Sequence, residues 1–275
     1  MNEKLAPFAM AMSTCNNEEF LSDEGLEALH QAGVQAIELS FRAAQMDKID
    51  LTAQVEKARA HGILVWSIHL PFDGLDIAAL DEAFRRRTLN YHKDLITRAG
   101  AAGIHTAVVH ACLEPVADAD RAARMERSKE SLCELAECAQ ASGVVVAVED
   151  LPRSCLGNCS KEMLELLSAD ERLRLCFDTN HLLGEDIAHF LSFMNGKIRT
   201  VHISDYDFVD ERHWLPGEGR IDWKALLKAL EATGYTGPFL YEVGMEPPRL
   251  TDRTTPRTLD EFTRNYRRAV PGSNC

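Results

Sequence analysis

No run of apolar residues in this chain is long enough to cross a bilayer, which as a helix takes about 20 residues. Basic residues are scarce: 30 Lys and Arg stand against 43 Asp and Glu, a formal charge of −13. That balance repels nucleic acid and anionic membrane unless a local basic face overrides it. The two arginine clusters, Arg85–Arg87 and Arg264–Arg268, lie on helix-like stretches diluted by acids. No glycine-rich phosphate loop follows any apolar run, which counts against a dinucleotide fold. The eight cysteines form no framework, and scattered thiols suit a reducing, cytoplasmic setting. Cys155 and Cys159, without a second cysteine pair at zinc-site spacing, read as loop thiols. The opening MNEKLAPFAMAMSTC sets Glu3 beside Lys4 before a short apolar core, and reads as a first strand rather than a secretory signal.

What the chain has is alternation. Short apolar, β-branched runs occupy 7–13, 34–40, 63–70, 105–111, 144–150, 173–178, 198–205 and 238–244. Between them, segments such as 18–33, 124–143, 222–234 and 258–269 carry apolar residues at three- and four-residue spacing. Gly33, Gly62, Gly103, Gly143 and Gly234 stand just before the next run, where a helix stops on a left-handed residue. Strand and helix in alternation with short joins means parallel strands. Eight such units without a composition break predict one α/β domain over 1–270, a closed (β/α)₈ TIM barrel, with 271–275 a loose tail.

The ends of these runs carry chemistry. The fifth run, VVVAVED, has no polar partner until Glu149 and Asp150, so it reads as a strand covered on both faces that ends in acids. In (β/α)₈ barrels that end of each strand opens into a shared mouth. The third run ends in His69 and the fourth in His110. The sixth ends in Asp178 with His181 behind it, the seventh carries His202, and the eighth ends in Glu242. Asp150 caps a helix or orients a neighbour. Three carboxylates and an imidazole, Glu149, Asp178, Glu242 and His202, converging on one mouth repel one another unless partly protonated or holding a cation. A divalent ion is the simpler answer. The oxygen-rich set favours Mn²⁺, Mg²⁺ or Co²⁺; His69 and His110 as further ligands shift the balance to Zn²⁺ and a second ion. Such an ion acidifies a C–H beside a carbonyl, and Glu149 and Glu242 address a substrate from two sides as base and acid. Trp66, Phe72 and Trp214 offer aromatic faces near this mouth, Trp66 equally as core. Arg153 reads as an exposed loop charge ahead of a partner for a substrate phosphate, and Glu218 as either a hydroxyl partner or a solvated acid. The joins 151–160 and 205–219 read as the longest at the rim, able to close over a substrate.

At VVVAVED, CFDTNH, VHISD, PGEGRIDW and LYEV the chain resembles the xylose isomerase-like barrel superfamily, in its sugar (phosphate) isomerase/epimerase branch. That branch includes ketose 3-epimerases, hydroxypyruvate isomerase and inosose dehydratase. The resemblance implies that Glu149, Asp178, His202 and Glu242 hold one divalent ion, and that Glu149 and Glu242 are the acid and base. His181 then contacts substrate oxygens. Ketose 3-epimerases carry an arginine shortly before the PG motif; here His213 stands there, with Arg212 adjacent. His69, His110, His181, Arg212, His213 and Glu218 form the implied substrate-binding set. The expected activity is that of an isomerase acting on a sugar or sugar phosphate. Its partner is a small carbohydrate, without nucleic acid or membrane, in a homodimer or homotetramer. One alternative is an abasic-site DNA endonuclease of the endonuclease IV type, whose three-zinc ligands resemble His69, His110, Glu149, Asp178, His181, His202, His213 and Glu242, with Glu211 in place of an aspartate. Dehydration of an inosose-like substrate is a second alternative.

Overall fold

In the computed structural model, residues 5–15, 17–248, 250–251 and 253–270 are described; the tail expectation for 271–275 lies outside them. Eight strands run in parallel: β1 (Met10–Ser13), β2 (Ala36–Ser40), β3 (Leu64–His69), β4 (Thr106–His110), β5 (Val145–Glu149), β6 (Arg174–Asp178), β7 (Ile198–His202) and β8 (Phe239–Tyr241). Their order is β7-β6-β5-β4-β3-β2-β1-β8. Where β8 returns to β7, Ile203 donates to the Leu240 carbonyl at 2.8 Å and Glu242 donates to that of Ile203 at 3.1 Å. A single parallel bridge, Ile203 to Tyr241, thus brings the sheet round to a nearly closed (β/α)₈ barrel. No helix among the described residues is long and apolar enough to cross a membrane.

Local sequence explains the alternation. Ser22, Asp50, Asp81, Asp186 and Asp222 each accept a backbone N–H in the first turn of the helix that follows, satisfying a donor that the helix leaves unpaired. The glycines at 33, 62, 103, 143 and 234 all take positive φ, between 69° and 86°, a conformation costly for any residue with a Cβ. Along β5, Val146 and Val148 pack outward into the main core beneath the helices, while Ala147 meets Val108 and Cys176 inside the barrel. Both faces are covered, which is why the strand reads as unbroken valine.

Two irregularities decide what faces inward. Pairing of β2 with β3 runs Ile37 to Val65 and then Glu38 to Ser67, so Trp66 is an extra residue. Pairing of β6 with β7 runs Leu175 to Ile198 and then Cys176 to Thr200, so Arg199 is another. Each bulge reverses the in-out alternation of its strand. Beyond them, Ser67 and His69, and Thr200 and His202, turn to the interior. The two bulged side chains meet at the floor of the barrel. The Arg199 guanidinium lies 4.8 Å from the Trp66 ring centre, and Trp66 Nε1 donates to Thr200 Oγ1 at 3.1 Å. Trp66 therefore belongs to the floor and not to the mouth.

Candidate metal and substrate site

Register aligns the strand ends. His110 pairs across from Glu149 and Asp178 from His202, so the inward residues of four neighbouring strands finish at one level. Glu149 is the hub. Its Oε2 receives His69 Nε2 at 3.0 Å and His110 Nε2 at 3.1 Å, and its Oε1 receives His202 Nδ1 at 2.9 Å. Burial pushes its pKa up, but the His202 charge and three imidazole hydrogen bonds outweigh that and hold it well below the usual carboxylate range. Glu242 follows β8 with its Oε2 at 3.4 Å from His202 Nδ1. Asp178 is fully buried; burial, with Glu242 and Glu149 adding like charge, raises its pKa well above the ordinary value.

Glu149, Asp178, His202 and Glu242 each offer a ligand atom, all within 4.8 Å of one another. One atom in this group tests the fit of a cation. Asp178 Oδ1 accepts the Asn180 N–H at 2.7 Å, but its Oδ2, equally buried, has no hydrogen-bond partner. A buried carboxylate oxygen left without a donor costs about 1–3 kcal/mol or more, and a metal ion is the partner such an oxygen accepts. The donor set therefore fits a hard divalent ion.

Two further groups of ligand atoms lie alongside: His69, Glu149 and His202, and His181, Glu211 and His213. In the second, His181 Nδ1 donates to the Asp150 carbonyl at 2.7 Å, leaving Nε2 facing Glu211 at 2.9 Å. Burial lowers the His181 pKa, but Asp178 and Glu211 win and hold it well above the ordinary value. Glu211 is pushed down to about 2: burial works the other way, and the His181 hydrogen bond and charge prevail, helped by Arg153. His213 and Arg153 both take φ of 50°, an uncommon backbone conformation that concentrates at functional sites.

A cavity of about 500 Å³ opens above these residues, walled by His69, His110, Glu149, His181, His213 and Glu242. Phe72 also lines it, stacked on His110 with ring centres 4.1 Å apart. Of the implied substrate set, then, His69, His110, His181 and His213 reach the cavity wall. Arg212 does not: its Nε donates to Asp207 at 2.9 Å. Glu218 is likewise engaged elsewhere, accepting from Arg257 at 2.9 Å and from the Leu215 N–H at 2.9 Å. Arg153 is no simple exposed charge. It pairs with Glu114 and Asp210 at 2.8 Å each, and with Glu211, tying three rim loops together. The rim joins 70–81 and 242–258 are longer than 150–159, so 151–160 is not among the longest as its sequence suggested, the helix starting at Ser160.

Three further buried acids support the site, of which the sequence pointed only to Asp150. Asp150 Oδ1 accepts the Asp178 N–H at 2.8 Å, orienting a neighbour as one of its two expected roles; burial pushes its pKa up to about 7. Asp205 gathers N–H donors from Tyr206, Gly217, Ile221 and Trp223, which is what the PGEGRIDW segment folds around. Glu38 lies beneath His202. A lone acid in VQAIELS after an apolar pair was the available signal for it.

A protein-family model described as xylose isomerase-like TIM barrel matches residues 26–262. An uncharacterised protein of Methanocaldococcus jannaschii is 26% identical over 62% of this chain, which spans only 61% of that relative's length. L-ribulose 3-epimerase of Mesorhizobium japonicum is 31% identical over 77% of this chain and 72% of its own. The crystal structure of a D-tagatose 3-epimerase-like protein superposes with a TM-score of 0.78, covering 94% of this chain and 97% of the other, at 20% identity.

Proposed function

The chain belongs to the xylose isomerase-like TIM barrel family, and from that premise we propose a divalent-metal-dependent sugar isomerase or epimerase that moves a proton at a carbon beside a carbonyl. The observation that carries the reading is the group Glu149, Asp178, His202 and Glu242, gathered around one orphaned buried oxygen at a cavity wall. Mn²⁺, Mg²⁺ or Co²⁺ suits three carboxylates and an imidazole, and such an ion supplies the charge that polarises a carbonyl and acidifies the neighbouring C–H. The relatives' names point to ketoses as the substrate class.

The chain's own residues divide the remaining work. Both oxygens of Glu149 are engaged by imidazoles, whereas Glu242 meets only longer contacts, 3.4 Å to His202 and 4.0 Å to His213. Glu242 is thus the carboxylate with room to take the first proton, and Glu149 the one that returns a proton from the other side, passed to it from the His69 imidazole hydrogen-bonded to its Oε2. His181 and His213 hold hydroxyls at the mouth, and Phe72 covers an apolar face of the substrate. The test is a ketose panel incubated in D₂O. Solvent deuterium should enter at the carbon beside the carbonyl, and Glu242→Gln should abolish it. Failure of every ketose and aldose tried to exchange would remove this reading.

A second reading, an abasic-site endonuclease with several zinc ions, is favoured by the two additional ligand groups. The charge at the mouth opposes it. Arg153, the arginine among the described cavity-lining residues, is already held by Glu114, Asp210 and Glu211, so that lining offers no uncommitted arginine for DNA phosphates. Metal analysis of protein purified without added metal separates the two. One Mn²⁺-, Mg²⁺- or Co²⁺-type ion per chain supports the sugar reading, and two or three zinc ions support the nuclease.

A further inference from the structure

Glu38 has no place in the chemistry derived so far, yet it is completely buried on β2. Ser67 Oγ donates to its Oε2 at 2.7 Å and Ser13 Oγ to its Oε1 at 3.3 Å. The bulge at Trp66 is what turns Ser67 inward to reach it. Its Oε1 also stands 3.0 Å from His202 Nε2, a contact whose direction falls short of a formed hydrogen bond. On the opposite side of the ring, Nδ1 faces Glu149 at 2.9 Å, Glu242 at 3.4 Å and Asp178 at 3.9 Å. The His202 imidazole is therefore clamped between one carboxylate below and three above.

A neutral imidazole carries one proton on two nitrogens. If Nδ1 is to offer its lone pair to a cation, that proton must sit on Nε2, and a buried carboxylate is the acceptor that keeps it there. We propose that Glu38 is a positioning residue that fixes His202 as the Nε2–H tautomer and so sets the affinity of the four-residue group for its divalent ion. The inference rests on the metal reading above. The two serine hydroxyls hold the Glu38 carboxyl in place beneath the ring, and a carboxylate accepting from Nε2–H makes the opposite nitrogen a stronger metal donor. Nothing about Glu38 requires it to touch substrate: the His202 ring separates it from the other three acids.

The test measures Mn²⁺ binding by titration calorimetry on chelator-treated protein, for the wild type, Glu38→Gln and Glu38→Ala. Loss of such a partner typically weakens metal binding by about 10- to 100-fold, and Glu38→Ala should show it. The glutamine variant keeps an acceptor but not the charge, so it should fall between the other two. A second readout is the ¹⁵N spectrum of the His202 ring with Mg²⁺ bound. The wild type should show the proton on Nε2, and Glu38→Ala should lose that preference, which a merely structural role would not produce. Should the alanine variant fail to fold, the glutamine variant decides alone. Mn²⁺ affinities within twofold of wild type in both variants, or an unchanged His202 tautomer, would overturn the inference while leaving the metal reading intact. Absence of Mn²⁺ binding by the wild type itself would overturn both.

Discussion

The two ends of the barrel are built from different materials. At the floor, Ala11, Ala36 and Leu240 pack with Leu64 and Trp66. The polar groups there are matched, Arg199 Nε to Thr106 Oγ1 at 2.9 Å and Trp66 Nε1 to Thr200 Oγ1. At the rim, acids and imidazoles crowd within hydrogen-bonding distance of one another. Most of the buried side-chain polar atoms that lack a partner among the described residues sit on or just behind it: Asp150 Oδ2, Asp178 Oδ2, Asn180 Nδ2, His202 Nε2 and Ser204 Oγ. A floor with its polar groups matched stabilises the fold; a rim with buried groups left open is held in place against their desolvation cost. On the proposed reading, stability and function are separated along the barrel axis, and opposed substitutions should show it.

The largest effect belongs to the rim. Glu149→Gln keeps the shape of the side chain but removes the charge that three imidazoles share, and proton transfer by a positioned group is worth about 10²- to 10⁴-fold. Deuterium incorporation into a ketose substrate should drop by at least that much, measured by NMR in D₂O. The thermal midpoint of the chelator-treated variant should move by less than that of any floor variant. If Glu149→Gln melted the protein as far as a floor substitution does, the separation would be false.

The converse substitution is Trp66→Ala. It removes the platform beneath Arg199 and leaves that guanidinium over a void. For a tryptophan that is only partly buried, the low end of the usual range applies, about 3 kcal/mol. In a chain of this size that lowers the melting temperature by roughly 6–12 °C. Metal content per folded chain should stay as in the wild type, since the rim ligands hang from strands whose bulges are set by backbone pairing. A fall in metal content alongside the melting temperature would mean that the floor also aims the rim.

These two bulges also mark where the sequence stops being legible. The alternation of strands and helices, the glycines that end helices, and the acid or histidine at each strand end can all be read by counting. Counting by twos along LVWSIH puts Trp66 and Ile68 on the side of Leu64, whereas the structure puts Ser67 and His69 there. Likewise, the pairing of β7 places Thr200 and His202 inward only because Arg199 is skipped. An extra residue in a parallel strand leaves no local signature, because it is defined by the partner strand. The same limit hid Glu38, whose meaning lies in His202, 164 positions away, and Arg153, whose meaning lies in three acids on two other loops. Conversely, Arg212 and Glu218 sit beside a recognisable motif, yet their side chains are drawn to Asp207 and Arg257.

The smallest effect, and the one that most sharpens the contrast, concerns the outer rim pair His181 and Glu211. The Glu211 carboxyl is held at about 2, below its ordinary 4.5. Its contribution to stability is therefore present above pH 4.5 and lost as pH falls from there towards 2. His181 is held well above its ordinary 6.5, so its contribution is complete below pH 6.5 and lost as pH rises through its folded-state value. The two together are worth most between about pH 4.5 and 6.5, where one partner is anionic and the other cationic in both the folded and unfolded chain. Urea unfolding of chelator-treated wild type and Glu211→Gln across pH 3–9 should show the largest stability difference in that window, shrinking towards both ends. No such curvature is expected for Trp66→Ala, whose lost contacts include no group that titrates over that range. A difference between wild type and Glu211→Gln that stayed flat with pH would show that Glu211 acts by shape, and that the rim is less electrostatic in character than its composition implies.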